Sequence, residues 1–67
     1  MRNNIKKIID KKGLKITFII SKIGLSRSSF YEIMNGNCIP SLLNARAISN
    51  ALSEDLEKVF PNDKFPQ

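Results

Sequence analysis

Residues 24–36 read GLSRSSFYEIMNG. Ser26 is the kind of residue that starts a helix, because its hydroxyl can accept a hydrogen bond from an otherwise unpartnered amide one turn later. The residue at that turn is Ser29, not an acid, so the reciprocal capping box is absent. Phe30 and Ile33, three apart, supply one inward face. Asn35 and Gly36 then close the segment, since both residue types tolerate the left-handed conformation that a helix exit needs. The pattern predicts a short helix beginning just after Ser26, with Arg27, Ser28, Tyr31 and Glu32 left outward.

Upstream, KITFII (residues 15–20) is rich in β-branched residues and resembles a strand by propensity alone. Gly13 and Gly24 bound it at helix-turn spacing and no partner strand exists elsewhere, so the prediction is a helix from about Ile16 to Ile23. Ile19, Ile20 and Ile23 face inward and Gly24 serves as the exit. Before it, Ile5, Ile8 and Ile9, followed past Gly13 by Leu14, have the spacing of a helix with one buried face. Downstream, either Ser41 caps a fourth helix or Pro40 occupies its first turn. Its apolar stripe is Leu42, Ala45, Ile48 and Leu52, with Ala51 packing closely. Ser53 is predicted to cap a fifth helix, with Glu54 and Asp55 in its first turn and Leu56, Val59 and Phe60 inward. The tail at 61–67, PNDKFPQ, has two prolines in seven residues and is predicted irregular.

These elements predict an all-α fold, a compact five-helix bundle forming a single domain over residues 1–67 with its core at about 5–60. Ile9, Ile19, Ile23, Phe30, Ile33, Met34, Ile48 and Leu52 are the expected structural core. At 67 residues and 42% hydrophobic content the chain is near the size where burial alone leaves little stability to spare, and a second, ligand-sensing domain is not expected.

Charge is unevenly placed. Net charge is +5, yet residues 1–30 carry Arg2, Lys6, Lys7, Lys11, Lys12, Lys15, Lys22 and Arg27 against Asp10 alone, a net +7. Residues 47–67 carry Lys58 and Lys64 against Glu54, Asp55, Glu57 and Asp63, a net −2. A one-sided basic field attracts polyanions, whereas lysines also serve simply to keep a small protein soluble. The lone Cys38 cannot form an internal disulfide, which fits a reducing compartment. No apolar run suits a signal peptide or a membrane span, so a cytoplasmic location without membrane contact is expected. The first helix is basic and amphipathic, but Gly13 keeps it short and its isoleucines belong to the core.

The order of the elements carries the functional expectation. A helix, the three-residue turn Gly24-Leu25-Ser26 and a second helix make a helix-turn-helix unit, in which Gly24 allows the reversal and Leu25 fills the angle. Arg27, Ser28, Tyr31 and Glu32, outward near the start of the second helix, suit a reader of the DNA major groove.

The chain also resembles the Cro/C1-type (XRE-like) helix-turn-helix family of phage repressors and small bacterial transcriptional regulators, with its lambda-repressor-like DNA-binding domain. The resemblance runs from about Ile5 to Phe60 through KKGL, IISKIGLSRSSFYEIMNG, PSLLNARAISNAL and LEKVF. It implies that Arg27, Ser28 and Glu32 read base edges and that Tyr31 touches a base or the backbone. It further implies phosphate contacts from Ser26 and from around Asn35, Gly36 and Asn37. The family commonly places glutamine where this chain has Ile16, which cannot donate a hydrogen bond, so that grip on phosphate is absent or passes to Lys15 or Thr17. Lys22 is a further phosphate-binding candidate. Many relatives also join a late arginine of the first helix to a glutamate before the asparagine-glycine exit. Ile9 and Met34 stand at those positions, and an apolar pair can replace a buried ion pair without loss of stability.

The resulting expectation is a sequence-specific regulator of transcription, acting as a repressor on palindromic double-stranded DNA as a homodimer. The alternative is a protein-interaction or antitoxin-type module that uses the same fold on a protein partner. An enzyme is not expected: histidine, the commonest neutral-pH base, is absent, and there is no Cys/His metal set or phosphate-binding loop. No metal or cofactor is implied. Exposure of Phe18 is expected to be extra cover over a small core, and Cys38 to be a small hydrophobe.

Overall fold

Apolar spacing and helix punctuation resolve into five helices in a computed structural model that describes residues 3–61. They are α1 (Ile5–Lys12), α2 (Ile16–Ile23), α3 (Arg27–Met34), α4 (Leu42–Leu52) and α5 (Leu56–Val59). No strand occurs among the described residues, so helix periodicity prevails over β propensity in KITFII. The radius of gyration, 10.5 Å, is that of a compact chain, for which about 11 Å is expected at this length.

The longest helix, α4, packs against α1, α2 and α5. It buries Ala45, Ile48 and Leu52, and its one buried polar residue, Ser49, turns its hydroxyl back to the Ala45 carbonyl at 2.9 Å. Ile5 and Ile9 of α1, Ile19 and Ile23 of α2, Phe30 and Ile33 of α3, and Val59 with Phe60 at the end of α5 complete one core. Seven of the expected core residues are thus buried; Met34 is half-buried and packs at the edge. Asn3 donates from its side-chain amide to the Ile33 carbonyl at 2.8 Å, tying the start of α1 to the end of α3.

The helix ends follow local chemistry, with one open choice settled and two corrections. Ser41, not Pro40, caps α4: its hydroxyl accepts the Asn44 N–H at 3.2 Å, and Pro40 is buried just before it. Ser53 does not cap α5. It ends α4 in the left-handed conformation (φ 57°), the only non-glycine with positive φ among the described residues. Consequently Glu54 and Asp55 precede α5, which starts one residue after Asp55 and has Glu57 in its first turn. At the α3 exit only Gly36 is left-handed (φ 83°), whereas Asn35 stays right-handed. Of the tail predicted irregular, only Pro61, in a turn, falls among the described residues.

Candidate nucleic-acid interface

The turn that joins α2 to α3 is built by two residues with different tasks. Gly24 adopts φ 64°, where any side chain would be strained even though nothing lies within 4 Å of the place a Cβ would occupy. Ser26 is extended, and its hydroxyl accepts the Ser29 N–H at 3.2 Å while donating to the Ser29 hydroxyl at 2.9 Å. Ser29 therefore completes a serine pair where a capping box would have placed an acid. Leu25 between them is half-buried against the core, as a plug requires.

Beyond this turn, α3 divides cleanly into two faces. Phe30 and Ile33 are buried, fixing the rotation of the helix, and Arg27, Ser28 and Glu32 are exposed. Tyr31 is half-buried, its ring edge-on to Phe30 with centroids 6.3 Å apart. At 100° per residue Arg27, Ser28, Tyr31 and Glu32 span an arc of about 140°. The four predicted base-reading residues thus share one face, with a long cation at the helix's N-terminal end and a carboxylate one turn on.

The predicted phosphate contacts divide differently. Lys15, Thr17 and Lys22 of α2 and its N-terminal flank are all exposed. Lys15 is the N-cap residue of α2, its carbonyl taking the Phe18 and Ile19 amides at 3.1 and 3.2 Å while its side chain stays in solvent. The Lys22 ammonium rests 5.1 Å from the centre of the exposed Phe18 ring, so Phe18 props a cation. The Asn35, Gly36 and Asn37 amides donate to the Tyr31, Ile33 and Glu32 carbonyls at 2.9, 3.1 and 2.9 Å. These amides close the helix, and it is the exposed side chains of Asn35 and Asn37 that face solvent. Ser26 likewise spends its hydroxyl on Ser29.

Sequence pattern alone does not single out Ser29. It is exposed, and its hydroxyl accepts from Ser26, leaving its own proton to give outward. Its signal is the Ser-x-x-Ser spacing, which a search for an acid at that position passes over. Three large apolar residues are also exposed: Phe18 (48%), Ile39 (54%) and Leu43 (78%). Ile39 follows exposed Cys38 in the α3–α4 loop. Among the described residues no group of three His, Cys, Asp or Glu side chains could hold a metal ion, and no helix is long and apolar enough to cross a membrane.

Comparison with protein-family models and with curated protein sequences finds no match to this chain.

Proposed function

We propose that this protein is a sequence-specific double-stranded DNA-binding regulator of transcription, a helix-turn-helix protein of the Cro/C1 type in which α3 enters the major groove. The observation that carries the reading is the arc of exposed Arg27, Ser28 and Glu32 with half-buried Tyr31 among them, on a helix whose opposite face is locked by buried Phe30 and Ile33. Arginine pairs best with guanine O6 and N7, and glutamate accepts from cytosine N4. Lys15 at the N-cap of α2, Thr17 and Lys22 on α2, with Ser29 and the side chains of Asn35 and Asn37, supply contacts to the sugar-phosphate backbone that position α3 without reading sequence.

One α3 reads few bases, so two copies related by a twofold axis would bind a palindrome with half-sites about 34 Å apart. Occupying such a site near a promoter makes the protein a repressor. Selection from a randomised duplex library at near-physiological salt tests this: the expected result is a palindrome with half-sites one helical turn apart. Binding at low salt without enrichment of any motif would overturn it. The exposed Phe18, Ile39 and Leu43 favour a second reading, a protein-interaction module, which that negative result would select.

A further inference from the structure

On the α1–α5 side lies an open groove of about 390 Å³, and no residue of α2 or α3 lines it. Its walls are pinned. Asn4 donates its backbone N–H to the Val59 carbonyl and its side-chain amide to the Lys58 carbonyl, each at 2.8 Å. Toward the other end of α1, Lys12 pairs with Glu54 at 3.2 Å. A cleft held in this way is preorganised, so an occupant spends no free energy on opening it.

The charges in the groove are not balanced. Glu54 is shared between Lys12 and Lys58, the latter at 3.9 Å. Lys7 and Lys11, four residues apart on α1, are exposed and have no ion-pair partner among the described residues. Like charges at that spacing disfavour the helix, a penalty that a carboxylate brought between them removes. Ile8 lies beside them, half-buried and lining the same groove.

We propose that this groove receives an acidic segment of a partner protein, which sets one apolar side chain on Ile8 and brings carboxylates to Lys7 and Lys11. Nucleic acid fits it less well, because Glu54 and Glu57 also line the groove and would repel a phosphodiester chain that has nothing apolar to place on Ile8. A peptide offers backbone N–H groups to Glu57 and carboxylates to the lysines at once. This site goes beyond the DNA-reading function and stands independently of it.

The test is titration of the isotope-labelled protein, followed by amide chemical shifts, with a synthetic peptide of glutamates around one leucine. Saturable shifts confined to Lys7, Ile8, Lys11, Glu57 and their neighbours are expected. The Lys7→Ala/Lys11→Ala double variant should lower affinity roughly tenfold by removing both charge pairs, with the fold intact by circular dichroism. A peptide with serine in place of leucine should bind measurably more weakly. Equal binding of that peptide, or shifts spread over all lysines, would overturn the proposal. Equally strong shifts of the groove amides by duplex DNA would do so too, assigning the groove to nucleic acid. Concentration-dependent shifts of the same amides without peptide would assign it to a second copy and also overturn the proposal.

Discussion

The Lys12 ammonium lies 2.8 Å from the Leu52 carbonyl oxygen, forty residues away in sequence, and donates as well to the Ser53 carbonyl at 3.2 Å. A cation from the last turn of α1 thereby closes the negative end of α4, where helix carbonyls have no partner of their own. The same ammonium pairs with Glu54. The Lys12→Met variant keeps the aliphatic stem and removes the charge, so it isolates this interaction. A decrease of about 1 kcal/mol in stability is expected, given partial solvent exposure. Urea unfolding followed by circular dichroism measures it, and an unchanged midpoint would show that water serves those carbonyls equally well.

Ser53 holds the left-handed conformation without being a glycine. The conformation costs an L-residue roughly 1–2 kcal/mol, of which glycine's greater freedom in the unfolded chain takes back a part. Ser53→Gly should therefore stabilise the protein by about 0.5–1 kcal/mol. Thermal unfolding reads the change as a rise in midpoint, and a fall would mean that the serine side chain makes a contact worth more than the strain.

These two positions also show where sequence reading reaches its limit. The glycines at 13 and 24 and the serines at 26 and 41 act through their immediate neighbours, so the helix ends they set are legible from local pattern. Ser53 is not. A serine before an acidic run reads as a helix start, but here the carbonyls at the end of α4 are stabilised by Lys12, which no local pattern couples to them. Asn35 fails for a related reason: one left-handed residue suffices to close α3, and the adjacent Gly36 takes that role with less strain. On α3 the exposure of Arg27, Ser28 and Glu32 is legible because buried Phe30 and Ile33 set its rotation, whereas Tyr31, expected outward, is half-buried against Phe30. The groove between α1 and α5 is not, since its walls meet through contacts distant in sequence, Asn4 with Lys58 and Val59 and Lys12 with Glu54.

If α3 reads bases, Arg27 and Lys22 should fail differently on substitution. Arg27→Ala is expected to remove roughly 1–3 kcal/mol of discrimination at one base pair in each half-site. Lys22→Ala should weaken binding to all sequences alike and lower the slope of log affinity against log salt by about 0.9 for each phosphate that Lys22 neutralises. Fluorescence anisotropy with the selected duplex and single-base variants of it, over a range of salt, separates the two effects. An Arg27→Ala protein that keeps its full preference would remove that residue from the reading surface.

Ile9 is buried and Met34 half-buried against the same core, at the two positions where the resembling family commonly pairs arginine with glutamate. The resemblance makes a quantitative demand on them. Ile9→Arg alone places an unpaired charge in the core and should cost roughly 3 kcal/mol or more, enough to unfold so small a domain. Met34→Glu alone is expected to cost less, because its site is partly open to water. Together they should recover at least about 1 kcal/mol relative to the sum of the single effects, since the guanidinium and carboxylate then neutralise one another. A folded double variant with cooperative thermal unfolding, beside an unfolded Ile9→Arg single, is the expected result. A double variant no better folded than the single would show that the two side chains do not meet, and would withdraw the compensation that makes the departures from the family pattern coherent.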